Sequence, residues 1–87
     1  MKYIFIVNPK SGKEKALKAA EKIEKLCKER NLYYEIHFTK GPNDATRIAK
    51  KYRFQDNIIY SVGGDGTLNE VINGIVGTKN IRYNSLW

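Results

Sequence analysis

The sequence predicts an α/β fold of three layers: a parallel sheet of three strands in the spatial order 2-1-3, with elements running β-α-β-α-β-α. Three observations carry this. Residues 2–8 and 57–62 are almost continuously apolar, the pattern of strands covered on both faces, as parallel sheets require. The segments between strands carry apolar residues at three- and four-residue spacing over lengths that suffice for right-handed crossovers. Both buried runs end in glycine-bearing turns, which the 2-1-3 order sets side by side at the switch point of the sheet.

The first strand stops at Asn8-Pro9. Ser11-Gly12-Lys13-Glu14 then has the Ser-x-x-Glu form of a capping box, which predicts a helix from there to about Arg30. Ala16, Leu17, Ala20, Ile23, Leu26 and Cys27 would form its apolar face. Cys27 therefore reads as a packing residue, and a lone cysteine precludes an internal disulfide. Residues 33–39 alternate, with Tyr34, Ile36 and Phe38 on one side and Glu35 and His37 on the other, as in a strand with one less buried face. His37 is expected at solvent or against a helix flank, since no second metal ligand lies at a useful spacing.

Gly41-Pro42 marks a turn, and Asn43 or Asp44 can cap a second helix through Ala45, Ile48, Ala49 and Tyr52. Residues 57–62 form the third strand. Thr67-Leu68-Asn69-Glu70 is another capping box, so the last helix is predicted to begin there and run through Val71, Ile72, Ile75 and Val76.

Eighty-seven residues, 41% hydrophobic and 11% aromatic, suit one small packed domain and exclude two. No apolar run approaches the roughly 20 residues needed to span a bilayer, and no signal peptide is visible, so the chain is expected in the cytoplasm. The net charge of +7 favours an anionic partner without choosing among nucleotide, membrane surface and nucleic acid.

The most informative segment is Gly63-Gly64-Asp65-Gly66-Thr67, directly after the third strand. Glycines there allow a turn through positive φ and a close approach of backbone to a ligand, while the following helix N-terminus favours negative charge. That is the chemistry of a phosphate cradle. A P-loop is excluded, because Gly12-Lys13 has Val7 in place of the first glycine and Glu14 in place of Ser or Thr. The dinucleotide fingerprint lacks its third glycine.

The run Ile6-Val7-Asn8-Pro9-Lys10-Ser11-Gly12, Thr39 with Asp44-Ala45, and Gly63-Gly64-Asp65-Gly66-Thr67-Leu68-Asn69-Glu70-Val71 resembles the amino-terminal part of the diacylglycerol kinase family, which includes bacterial lipid kinases and sphingosine kinases. The similarity covers about residues 2–77. It implies that residues 1–87 are a single partial domain, the truncated nucleotide-binding domain of a two-domain kinase. It also implies ATP-dependent phosphorylation of a lipid hydroxyl with Mg2+, the lipid being met at the inner membrane surface. The nucleotide contacts implied are Asn8, Pro9, Lys10, Ser11, Gly12, Thr39, Gly63, Gly64, Asp65, Gly66, Thr67, Leu68, Asn69 and Glu70. The general base and most lipid contacts would lie in the second domain.

A carboxylate beside a triphosphate repels it unless something intervenes, so Asp65 is assigned to a magnesium-linked water or a nucleotide hydroxyl, with helix capping as the plainer role. Asn8 can bond the nucleotide or close its own turn. Lys10 and Lys13 can pair with phosphate or remain solvated. Gly77-Thr78-Lys79-Asn80 echoes a later family segment but lacks its Asp and reads as a loop, and residues 81–87 do not match the family's continuation.

Two other readings compete. A basic, non-catalytic module could hold anionic lipid or nucleic acid, but four glutamates among the lysines of the first helix and the lack of interleaved aromatics weigh against it, and nucleic acid is not an expected partner. An NAD-kinase-like or sugar-kinase-like enzyme would keep the glycine loop and change the acceptor. A three-stranded sheet would also leave an edge bare, which predicts a homo-oligomer through it.

Overall fold

The computed structural model describes residues 1–54, 56–76 and 83–85, the last three by their backbone. Its elements are β1 (Lys2–Val7), α1 (Lys15–Glu29), β2 (Tyr34–Phe38), α2 (Asp44–Tyr52), β3 (Asn57–Val62), α3 (Asp65–Ile75) and β4 (Tyr83–Ser85). All strand pairs are parallel and the order is β2-β1-β3-β4.

The alternation of β1 explains the layers. Ile4 and Ile6 point to one face, where Ala45, Ile48, Ala49 and Tyr52 of α2 and Val71 and Ile75 of α3 close over them. Phe5 and Val7 point to the other, where Ala16, Ala20 and Cys27 of α1 pack. Burial raises the pKa of the Cys27 thiol, in keeping with a packing role. The buried stripe of α1 is narrower than predicted, since Leu17 and Leu26 are 36% and 50% exposed.

The order 2-1-3 is present, with two corrections at its far side. A fourth strand, β4, pairs with β3 through Ile59 and Tyr83, Tyr60 and Asn84, and Ser61 and Ser85. The edge of β3 is therefore covered, and the free edges among the described strands belong to β2 and β4. The expected loop at residues 77–80 lies outside the described residues.

Helix starts are displaced from both capping boxes. A Ser or Thr N-cap needs extended backbone. Gly12, Lys13 and Glu14 instead have φ of 62°, 51° and 75°, so the chain makes a left-handed turn and α1 begins only at Lys15, with no side-chain cap bond. At α3 the extended residue is Gly64, φ −81° and ψ −170°, and the helix starts at Asp65 instead of Thr67. Thr67 is thereby carried into the first turn and buried. Nor does the Asn43 side chain cap α2: Asn43 sits at φ 66° with no cap bond, and Asp44 is the first helical residue. Val76 lies past the end of α3 and is exposed.

Helices α2 and α3 approach closely because Gly74 has no side chain. A Cβ there would lie 2.6 Å from both Ala49 Cβ and the Thr46 carbonyl oxygen. The Thr46 hydroxyl donates to the Glu70 carbonyl at 2.7 Å across the same seam. At the other end Asn57 Nδ2 donates to the Tyr52 carbonyl at 2.9 Å, closing α2 as β3 begins.

On the outer half of that face, Glu35 of β2 gathers three partners. Lys2 Nζ forms an ion pair with it, Tyr52 Oη donates to Oε1 at 2.5 Å, and the His37 ring lies 2.8 Å from the same oxygen. His37 thus rests on the α2 flank, one of its two expected places, with its ring 5.3 Å from that of Tyr52. The Lys2 ammonium, then the Tyr52 hydroxyl, lower the Glu35 pKa from an ordinary 4.5 to about 2.

Two outcomes follow. Gly74→Ala should destabilise the fold by about 1–3 kcal/mol through overpacking, read as a lower urea midpoint at unchanged slope. An unchanged midpoint would contradict the packing described. Because Glu35 titrates lower folded than unfolded, its contribution is present above about pH 4.5 and lost as pH falls towards 2. Urea midpoints from pH 6 to 2 should therefore fall less steeply for Glu35→Gln than for the parent chain.

Candidate functional site

The carboxyl ends of β1, β2 and β3 open into one cleft of about 340 Å³, lined by Asn8 and Lys10, by Thr39, Lys40, Gly41 and Pro42, and by Ala45, Gly66, Thr67 and Glu70. The reason is topological. From β1 the chain crosses outward to β2 over one face and returns to β3 over the other, so the turns after β1 and β3 become neighbours, with the turn after β2 beside them.

Each turn is fixed by local bonds. Asn8 donates its backbone N–H to the Val62 carbonyl at 3.0 Å, tying the end of β1 to that of β3. Its side-chain oxygen accepts from Lys10 N–H at 3.1 Å and its carbonyl from Ser11 N–H at 3.1 Å. Asn8 thus closes its own turn, the structural half of its two expected roles. Thr39 N–H donates to the Val7 carbonyl at 2.8 Å. The Asp44 carboxylate reaches back four residues to accept Lys40 N–H at 2.9 Å and takes the Arg47 guanidinium on its other oxygen at 2.8 Å. Those bonds, the Lys40 amide first, hold its pKa below the usual carboxylate range.

The glycine segment works differently from expectation. Among the described residues the glycine with positive φ is Gly12, so Gly63, Gly64 and Gly66 are not selected by a left-handed turn. Gly63 is selected by close approach. A Cβ on it would lie 2.6 Å from Thr67 Oγ1 and 3.0 Å from Ser11 Oγ, where the two turns meet. Gly64 and Gly66 face open space instead, with nothing within 4 Å of an added Cβ. Bare backbone therefore fronts the cleft at the start of α3. The first turn of a helix leaves its amide hydrogens unsatisfied, and here they belong to Asp65, Gly66 and Thr67.

Of the residues singled out by sequence, Asn8, Lys10, Thr39, Gly66, Thr67 and Glu70 line the cleft. Ser11 and Gly63 lie one layer behind it and hold the two turns together. Pro9, Gly12, Gly64, Asp65, Leu68 and Asn69 belong to the same turns or to α3 but are not in the lining. Asp65 is exposed as the first residue of α3. Sequence reasoning missed Lys40, Gly41, Pro42 and Ala45. Their signal was present in the Gly-Pro turn directly after Thr39, but only the cleft shows that this turn forms a wall.

Lys10 from the turn after β1 and Lys40 from the turn after β2 supply positive charge, and Glu70 one carboxylate. Among the described residues no group of three His, Cys, Asp or Glu is placed to hold a metal ion. Glu70, the carboxylate in the lining, is of the donor type that magnesium takes alongside water and phosphate oxygens. No helix of the described residues is long and apolar enough to cross a membrane.

Comparison with known proteins places these features in context. The profile described as "Diacylglycerol kinase catalytic domain" matches residues 2–84. The match reaches beyond residue 77, so the expectation that residues 81–87 depart from the family is corrected as far as 84. A candidate lipid kinase of Streptococcus pneumoniae serotype 4 is 47% identical over 85% of this chain and 26% of its own. A diacylglycerol kinase of Bacillus subtilis is 34% identical over 87% of this chain and 25% of its own. The crystal structure of a diacylglycerol kinase from Bacillus anthracis superposes with a TM-score of 0.78 at 28% identity, over 95% of this chain and 28% of that one. The chain spans about a quarter of the length of the curated relatives it matches.

The two kinds of glycine predict opposite results. Gly63→Ala should cost about 1–3 kcal/mol in urea denaturation, since the added carbon would lie 3.0 Å from Cβ of the buried Thr67 as well as against its hydroxyl. Gly64→Ala should leave stability within about 0.5 kcal/mol. Equal costs at the two positions would contradict the contact geometry.

Proposed function

Because this chain belongs to the diacylglycerol kinase catalytic domain family, we propose that it is the nucleotide-binding portion of a lipid kinase, which holds Mg-ATP in the cleft at the carboxyl rim of the sheet. In this reading the γ-phosphate passes to a lipid hydroxyl at a membrane surface. The observation that carries it is the convergence of three turns on one cleft whose floor is glycine backbone at a helix N-terminus.

Phosphoryl transfer asks a protein mainly to position phosphates and to neutralise the charge that develops on them. The free amides at the start of α3 suit phosphate oxygens, and the absence of Cβ atoms at Gly64 and Gly66 lets those oxygens come within hydrogen-bond range. Lys10 and Lys40 add positive charge on flexible side chains. Thr39 and Thr67 offer hydroxyls, and Asn8 keeps the first turn in place. Glu70 within the cleft and Asp65 at the start of α3 suit a magnesium-bound water or a nucleotide hydroxyl. Magnesium, when bound, screens phosphate charge. The general base and the lipid-binding surface are assigned to the rest of a longer kinase, so this chain alone should bind nucleotide without turning it over.

The competing readings, a basic non-catalytic module and an NAD-kinase-like enzyme, gain no support from the relatives found.

Mg-ATP titration followed by amide resonances should shift Lys10, Thr39, Gly66 and Thr67, and chelation of magnesium should reverse part of the shift. No perturbation at millimolar nucleotide would overturn the proposal. Gly66→Ala sharpens the test, because Gly66 lies inside α3 without positive φ. Alanine there should raise stability by up to about 1 kcal/mol, as helix propensity dictates, yet weaken Mg-ATP binding by filling the approach to the backbone.

A further inference from the structure

We propose that Asp44 is the positioning residue of this cleft: its carboxylate fixes the turn that brings Thr39, Lys40, Gly41 and Pro42 into the lining, and Arg47 cancels its charge beside a polyanion. The role given to the turn rests on the nucleotide reading; the bonds that hold it do not.

Both lysines of the lining have a backbone amide tied by a side-chain oxygen. Asn8 Oδ1 accepts Lys10 N–H at 3.1 Å in the turn after β1, and Asp44 Oδ2 accepts Lys40 N–H at 2.9 Å in the turn after β2. Each bond fixes where the chain stands at the lysine and leaves the long side chain free to follow a ligand.

The turn after β2 depends on its bond the more. Its start is tethered, since Thr39 N–H donates to the Val7 carbonyl at 2.8 Å, and its end is held by Ala45, which is buried with the rest of α2 against β1 and α3. Between them Asn43 stands at φ 66°, a left-handed conformation that is costly for a residue with a side chain and persists only where its surroundings hold it. Asp44 holds it twice, because its N–H donates to the Gly41 carbonyl at 3.3 Å while its carboxylate takes Lys40 N–H. An ionised acceptor makes a stronger bond than the neutral oxygen of Asn8, which suits a turn that must keep a left-handed residue.

A carboxylate at this place would repel phosphate if left bare. Its second oxygen accepts from Arg47 twice, Nε at 2.8 Å and Nη2 at 2.6 Å. Arg47 is 69% exposed and outside the lining, whereas Asp44 is 14% exposed, so the guanidinium serves the carboxylate and acts on a ligand only through it.

Titration of the parent chain and its variants with Mg-ATP tests the assignment. Asp44→Ala should weaken binding at least about tenfold, since an unheld wall must be ordered on binding, and Lys40 amide exchange should quicken even without ligand. Asp44→Asn keeps an oxygen for Lys40 N–H and should recover most of the affinity. Arg47→Ala uncovers the carboxylate, so binding should fall about threefold at low salt and less at high salt. The double variant Asp44→Asn with Arg47→Ala should return near the parent. The Arg47 variants decide the matter should Asp44→Ala not fold. Magnesium triphosphate, which carries no nucleoside, repeats the comparison: the same order among variants without any ATP binding would sink the nucleotide reading and uphold the positioning role. Asp44→Ala binding within about twofold of the parent, Asp44→Asn no better than Asp44→Ala, or an Arg47→Ala loss that persists at high salt and in the double variant would each overturn the proposal.

Discussion

The parallel pairing of β1 with β2 on one side and β3 on the other is the constraint from which the rest of this molecule follows. β1 is the strand with cores on both faces: Ile4 and Ile6 under α2 and α3, Phe5 and Val7 under α1. An apolar segment of this kind is stable only where both faces are covered and both edges paired. Its central place forces one crossover over each face, and that reversal brings the turns after β1 and β3 together. The Asn8 N–H to Val62 carbonyl bond is the direct expression of this arrangement, made where the two strands stop.

The cleft is a consequence of where strands end, and the residues around it divide into those that hold turns and those that leave space. Ser11, Gly63 and Thr67 make a contact so close that one extra carbon cannot enter. Asp44 stitches the wall after β2 by accepting Lys40 N–H and Arg47. Gly64 and Gly66 do the reverse and keep backbone uncovered. Glycine thus serves packing at one position and access at two others within four residues, and these needs look alike in sequence. On the face under α2, Lys2, Glu35, His37 and Tyr52 join β1, β2 and α2, so the outer strand is pinned by polar bonds.

Much of this was legible before any coordinates. Strand and helix identity followed from periodicity, and the 2-1-3 order was the arrangement that sets the two glycine turns side by side. The relatives agree in kind: the diacylglycerol kinase profile spans nearly the whole chain, and the Bacillus anthracis structure shares its path. Helix starts were less legible. The boxes at Ser11 and Thr67 have the right residues, but a left-handed turn at Gly12, Lys13 and Glu14 and the extended Gly64 decide where the helices begin. β4 escaped notice because three residues give too short a pattern to show a period.

Local pattern determined the class of the fold, the order of its elements, and the places where backbone would be left bare, because apolar spacing and glycine positions are properties of neighbouring residues. Tertiary structure decided what those places are for. Whether a glycine yields to a side chain or opens to solvent, whether Asn8 closes a turn, and whether Lys40 reaches the same space as Lys10 depend on atoms far apart in the chain. Sequence spacing holds no information about such distances; the packing of α2 against α3, and of both against β1, supplies it.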